Sequence, residues 1–482
     1  MCIRDSSGLG VPGIRGTLGR YSFYTNAPAS APDVPPESLT EVDLIDGRAQ
    51  TIVRGPSVRG MTGTKEATIP MTLKLVGERA EVSVSGNSLT LAPGEWSDWV
   101  RLEFSVGPLK KITSIVKFYL LQSRPEFKLY MTSLEPDPLD PAVPMASPAE
   151  YAADLARKIG LYHTLGMPED TKALNDNAIT PEMFAQQCGE ITEERFSMFW
   201  HEFEKFEDGV LAFVFDTSDR IQHMFWRDNK MDENLSVVQL TPYIRDHYIL
   251  MDAFLGRLLD RMGPDTALIV VSDHGFTSFN TCFDLNAWLV EEGFMTLTRT
   301  PAGLSDDEVA LYRLVDWSNT MAYGCGFTSL YLNLKGREGN GIVAPSEADR
   351  LTRKIADRIR QYKDARTGNS PVDLLARRED IYSGPEFENA PDMVLGTAPG
   401  YRMSWQTPIG GVAENVLSRN ERHWAGDHIV DPATVPGTIM SNIAFEVDNA
   451  RVIDVAPTTL ALLGLQAGED CDGQPLSVRK SL

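Results

Sequence analysis

Cysteine is scarce in this chain. Cys2, Cys188, Cys282, Cys325 and Cys471 are the only five, odd in number, scattered and never paired as CxxC. That excludes a CxxC redox site or a zinc ribbon and leaves the five as ordinary buried thiols. Positive charge is also short: 45 Lys and Arg face 67 Asp and Glu, a formal net charge of −22. Such a balance repels polyanions and argues against a sequence-independent grip on nucleic acid polymers or anionic membranes. A small anionic ligand stays open, because a bound cation inverts the local field. Long apolar runs are missing too. None approaches the roughly 20 residues of a membrane helix, and "MCIRDSSGLG" has neither the basic start nor the apolar middle of a signal peptide. There is no internal repeat and no low-complexity tract. Localisation and oligomeric state are left open.

What is present is a globular chain of 482 residues, 42% hydrophobic, long enough for two or three structural units. It opens on the glycine-dense "SSGLGVPGIRGTLGRYSFYT", with no strand or helix before it to anchor the loop. The chain is therefore expected to start partway through a domain, of which residues 1–40 are the remnant. Residues 41–132 read as strands between glycine and proline turns: "MTLKLV", "AEVSVSG", "SLTLAP", "WVRLEFSV", "ITSIVKFYLL" and "FKLYMTSL". This predicts a small antiparallel β unit, inserted so as to pack over the rim of the next. From Ser147 the spacing turns helical, in "SPAEYAADLARKIGLYHTLG" with a serine cap and proline in the first turn, and in "PEMFAQQCGEITEERFSMFWHEFEKF". Across 133–482, short buried strands such as "GVLAFVF" and "TALIVVS" alternate with helices, ending in "VIDVAPTTLALLGL". The rhythm predicts an α/β fold, a mostly parallel sheet with helices on both faces.

Both of those strands end in acids followed by histidine. "GVLAFVF" leads into "DTSDRIQHMFWR", which carries Asp216, Asp219 and His223; "TALIVVS" delivers Asp273 and His274. In open α/β sheets ligands collect at the carboxyl ends of strands, so both clusters point to one rim. Asp219 and His223 stand at i and i+4, roughly 5–6 Å apart on one helix face, where two side chains can share a cation. The plain alternative is an acid at the positive end of the helix dipole, paired with its histidine. Asp273 has its own, as a cap for a following helix; otherwise Gly275 permits the turn that would aim Asp273 and His274 together. A third polar island, Gly426, Asp427 and His428, lies in the loop "ERHWAGDHIVDPATVPG". A loop histidine is usually solvated, yet histidine is also the commonest metal ligand. Mixed carboxylate and imidazole suits zinc, manganese or iron better than magnesium or calcium.

Together, "DTSDRIQHMFWR", "VVSDHGF", "VDWSNTMAYGCGFTSLYLNLKGREGNGIV", "GDHIVDPATVPG" and "DVAPTTLALLGL…DCDGQPL" occur in an order that resembles the type I phosphodiesterase/nucleotide pyrophosphatase family of the alkaline phosphatase superfamily. The resemblance runs from about Gly8 to the C-terminus and implies an alkaline phosphatase-like catalytic domain, its C-terminal part at 133–482. It implies a hydrolase of small phosphoesters with two divalent ions, zinc or else manganese. One ion would be held by Asp219, His223 and His428, the other by Asp273 and His274 with an upstream aspartate and a nucleophilic threonine or serine. Those last two have no match, and the nucleophile is expected upstream of Met1. Thr17, Ser22 and Thr25 do not follow a strand and an aspartate as a nucleophile should. For the intact enzyme the resemblance implies in-line attack by a metal-activated hydroxyl and a covalent phospho-enzyme; this chain alone is expected to be impaired. The rivals are a phosphomutase or sulfatase on the same scaffold, though no C/S-x-P-x-R setting is visible, and a non-catalytic metal-binding module. Lys335 and Arg337 read as solvated charges on a glycine-rich turn, Trp317 and Tyr323 as core aromatics, and Asp216 as a helix cap or a partner for a ligand histidine.

Overall fold

The computed structural model describes residues 2–3, 13–15, 20–60, 63–107, 110–226, 241–446, 449–469 and 471–478. The chain divides into two compact units, one comprising Met1–Ile221 with Arg245–Gly256, the other Gln222–Ile244 with Arg257–Leu482.

The first unit begins with β-structure. Arg48–Gly60, Gly63–Val76, Arg79–Val84 and Asn87–Leu91 form an antiparallel four-stranded sheet in chain order. Alternation decides which face is buried: Ala80, Val82 and Val84 turn inward opposite Met71 and Leu73, while the residues between them face out. The tight link between the last two strands uses Ser85 and Gly86, both at positive φ, the conformation a two-residue hairpin turn needs. A second sheet sets Ser22–Thr25 between Leu39–Glu41, in parallel, and Lys128–Met131, antiparallel. Leu102, Phe104, Phe118, Leu120 and Leu129 join the inner face of the first sheet in one core.

Helices follow. Pro181–Phe203 starts with Thr180, whose hydroxyl accepts the Met183 N–H at 3.2 Å, and with proline in its first turn. The helix expected to start at Ser147 runs from Tyr151 to Ile159; Ser147 instead sits in a short strand, Ala146–Ser147, so it is not the cap. A larger departure is "GVLAFVF". No strand forms there, and Val210 and Val214 are 56% and 64% exposed. An extended apolar segment becomes a strand only by pairing, and among the described residues no strand pairs with it.

In the second unit, Thr277–Phe283 is the central strand. It pairs in parallel with Gly400–Met403 and antiparallel with Leu417–Arg419 and Gly426–Asp427. A separate antiparallel sheet orders Ala322–Cys325, Ser329–Leu332, Met393–Thr397 and Val372–Arg377. It is covered by the helix Ala348–Gln361, whose Thr352, Ile355, Ala356 and Ile359 are buried at the spacing of one helix face. Trp288, Leu330, Leu332, Met393 and Leu395 make the core between.

The protein is therefore mixed α/β with several sheets and helices. The mostly parallel sheet is not shown: parallel pairing of described strands is confined to Ser22–Thr25 with Leu39–Glu41 and Thr277–Phe283 with Gly400–Met403. Of the cysteines, Cys188 and Cys282 are buried as expected, whereas Cys325 is exposed and Cys471 half-buried. Cys325 ends an edge strand at an outward position of its alternation; the Cys2 side chain lies outside the described residues. No described helix is long and apolar enough to cross a membrane.

Candidate metal centre

The helix Thr217–Phe225 carries Asp219 and His223 one turn apart. His223 is buried, and its Nδ1–H donates to the Gly426 carbonyl at 2.8 Å. A carbonyl only accepts, so Nδ1 holds the proton and the lone pair lies on Nε2. The Ala425 N–H donates to the His223 carbonyl at 2.9 Å, and the Trp424 ring lies 3.9 Å from the imidazole. Helix and loop meet at Gly426 because nothing larger fits. A Cβ there would sit 2.4 Å from the Gln222 carbonyl oxygen and 2.6 Å from Trp226 Cβ.

His274 follows the short strand Ile269–Val271 and is held the same way, its Nδ1–H donating to the Gly275 carbonyl at 3.0 Å. Gly275 was expected for its freedom to turn. The structure gives a different reason: it is not in the left-handed region, but a Cβ would lie 2.9 Å from the Pro436 carbonyl oxygen. Its N–H donates to Val435 at 2.9 Å, pinning this exit to the later loop.

That loop delivers His428, whose ring stacks on His274 at 3.6 Å and 8° and lies 5.0 Å from the His223 ring. Burial, then the neighbouring His274 and His223, push the His428 pKa down to about 4. At neutral pH it is an uncharged imidazole, the form that ligates metal. The preceding Asp427 is buried and saturated with donors. Its Oδ1 accepts the N–H groups of His428 and Ile429 at 2.8 and 2.9 Å; its Oδ2 accepts Trp424 Nε1–H at 3.2 Å and the Arg402 guanidinium. Burial works to raise this carboxyl's pKa, but Arg402 and His223 outweigh it and hold it at about 2.

Three imidazoles of the second unit thus gather: the His428 ring lies 3.6 Å from that of His274 and 5.0 Å from that of His223. Imidazole donors so placed suit a divalent ion such as zinc, with no cysteine required. Asp219 pairs with Arg220. Of the five expected ligands, the three histidines come together. The Asp273 side chain is 76% exposed, with Oδ1 3.5 Å from His274 Nε2. No helix follows Asp273 for it to cap; the next element is the strand Thr277–Phe283.

The weaker candidates resolve differently. Asp216 caps nothing: neither carboxylate oxygen has a hydrogen-bond partner among the described residues, and burial followed by nearby Glu169 raises its pKa to about 6. Lys335 is solvated as expected, but Arg337 is not. It donates to Asp392, Glu338 and the Leu332 carbonyl, each at 2.7 Å, and so ties the turn to the sheet. Trp317 and Tyr323, 5.2 Å apart, pack against the core of the second unit. Ser22 and Thr25 are buried in a strand, with Thr25 Oγ1 accepting the Ala27 N–H; Thr17 lies outside the described residues. Sequence reading missed Arg402 and Trp424. A lone arginine in "YRMSW" carries no spacing signal, and only its partner across the sheet gives it meaning.

Residues 138–415 match the family model for type I phosphodiesterase / nucleotide pyrophosphatase. The matched span takes in Asp219, His223, Asp273 and His274 and stops short of His428. No curated protein matches the chain.

Proposed function

Since the chain belongs to the type I phosphodiesterase/nucleotide pyrophosphatase family, within the alkaline phosphatase superfamily, we propose that it is a metal-dependent hydrolase of small phosphoesters. The observation that carries this reading is the gathering of three imidazoles, with the His428 ring 3.6 Å from that of His274 and 5.0 Å from that of His223. Helix, strand exit and late loop each contribute one imidazole, an arrangement that costs ordering entropy without serving the core.

A divalent cation bound there would supply Lewis acidity toward a phosphoryl oxygen and would lower the pKa of a hydroxyl beside it. The chain's own residues do the positioning. Asp219 contributes negative charge, and His428 and His274 contribute nitrogen donors whose rings are fixed by stacking and by the Gly275 carbonyl. The reading extends to two ions, zinc by donor chemistry, with Asp219, His223 and His428 on one and Asp273 and His274 on the other. The His223 tautomer, with its Nδ1 proton engaged by Gly426, supports a ligand role for Nε2. Asp273 would have to turn inward from its exposed position. An alkaline phosphatase-like fold, with residues 41–132 as a β-rich insertion, belongs to the same proposal.

The test compares zinc-loaded protein on 4-nitrophenyl esters: a phosphate diester, a phosphate monoester and a sulfate. Slow hydrolysis of a phosphate ester is expected, in keeping with an impaired chain, abolished by a chelator and restored by zinc. A preference for the sulfate ester, or chelator-insensitive turnover, would overturn the reading.

A further inference from the structure

We propose that Arg402 is a positioning residue for this centre: by anchoring Asp427 it sets the loop that presents His428 and the carbonyl that orients His223. The inference rests on the metal-site reading above. It starts from an energetic oddity. Arg402 and Asp427 are 2% and 1% exposed, and burying two charges is repaid only where geometry and extra hydrogen bonds are excellent. Here they are. Arg402 Nε–H donates to Asp427 Oδ2 and NH1 donates to the Met403 carbonyl at 2.8 Å. The guanidinium lies 3.7 Å from the Trp405 ring centroid and 4.9 Å from that of Phe327, between faces that favour a cation.

The strand order gives the anchor leverage. Arg402 sits on Gly400–Met403, paired in parallel with the central strand, and Cys282 is its partner there. The same central strand pairs Thr277 with Asp427 and Ser278 with Gly426. Arg402 therefore reaches across the sheet from a rigid neighbour and holds the short strand that ends in the ligand loop. Asp427 passes the constraint on in three directions: to the His428 and Ile429 N–H groups, to the Trp424 indole tilted against His223, and through Gly426 to His223 Nδ1. A pair built only for stability would not need its carboxylate shared with both flanks of a candidate ligand. Arginine is required, since lysine cannot bond Asp427 and the Met403 carbonyl while lying flat on an indole.

The experiment measures zinc affinity of the full chain by competition with a chromophoric chelator, with apo-protein thermal unfolding and tryptophan fluorescence alongside. Arg402→Met should weaken zinc binding roughly 10–100-fold, the range for loss of a ligand-orienting partner, and Arg402→Lys should weaken it less. Trp424 emission should shift in both. If Arg402→Met does not fold, the double variant Arg402→Met/Asp427→Asn removes the stranded charge yet keeps an acceptor for the His428 N–H. Weakened affinity in that folded protein supports the proposal. Wild-type zinc affinity in folded Arg402→Met, or in the double variant, would overturn it while leaving the metal site intact. Only failure of the wild-type chain to bind zinc would remove both readings together.

Discussion

At the scale of single residues, burial sets the protonation states this protein works with. His428 stays neutral because partial burial and two neighbouring histidines disfavour its charge, and Asp427 stays ionised because Arg402 and three further donated hydrogen bonds overcome its burial. His247 shows the same force with nothing to offset it. It is buried, its Nε2 lies 3.3 Å from Ser218 Oγ, and desolvation drops its pKa from 6.5 to about 4. The unfolded chain protonates this group first, so stability is full above about pH 6.5 and is lost as pH falls toward 4. The loss approaches roughly 3 kcal/mol, at about 1.4 kcal/mol per pH unit. Urea unfolding of wild type and His247→Gln at pH 7.5 and 4.5 checks this. The variant should lose about 2–3 kcal/mol less than wild type between the two; equal losses would mean His247 titrates normally. Residue-level legibility follows from the same physics. Asp219, His223, Asp273, His274 and His428 could be named as candidates from the sequence because acid–histidine spacing and strand ends are local signals. Arg402 could not, because its role exists only in its pairing with a residue 25 positions away.

At the scale of elements, the centre depends on how closely a helix and a loop can approach. Gly426 has no left-handed φ to explain it; its need is space against Gln222 and Trp226. Gly426→Ala should therefore cost about 1–3 kcal/mol through overpacking and loosen the His223 bond to residue 426. Denaturant unfolding and zinc titration of the variant read the two effects, and unchanged values in both would show that the contact is slack. Strands of the first sheet were legible because alternation and glycine turns mark them; the helices at 181–203 and 455–462 were legible from spacing and proline starts. The segment at 209–215 was not, since an apolar run specifies the wish to pair and not the presence of a partner. The mostly parallel sheet is not shown among the described strands for a related reason: βαβ rhythm is a statement about order along the chain, and hydrogen-bonded neighbours are decided in space.

At the scale of the whole molecule, a charge of −22 would repel an anionic ester unless cations change the field locally. On the proposed function, divalent ions held by the histidine cluster reconcile the family assignment with this net charge. The most direct measurement is elemental analysis of the intact chain after equilibration with zinc and removal of loose metal, beside Asp219→Ala and His428→Ala. Wild type should retain at least one tightly held zinc per chain, and each variant should lose it while keeping the wild-type circular dichroism spectrum. Equal zinc content in all three proteins would contradict the account at its centre.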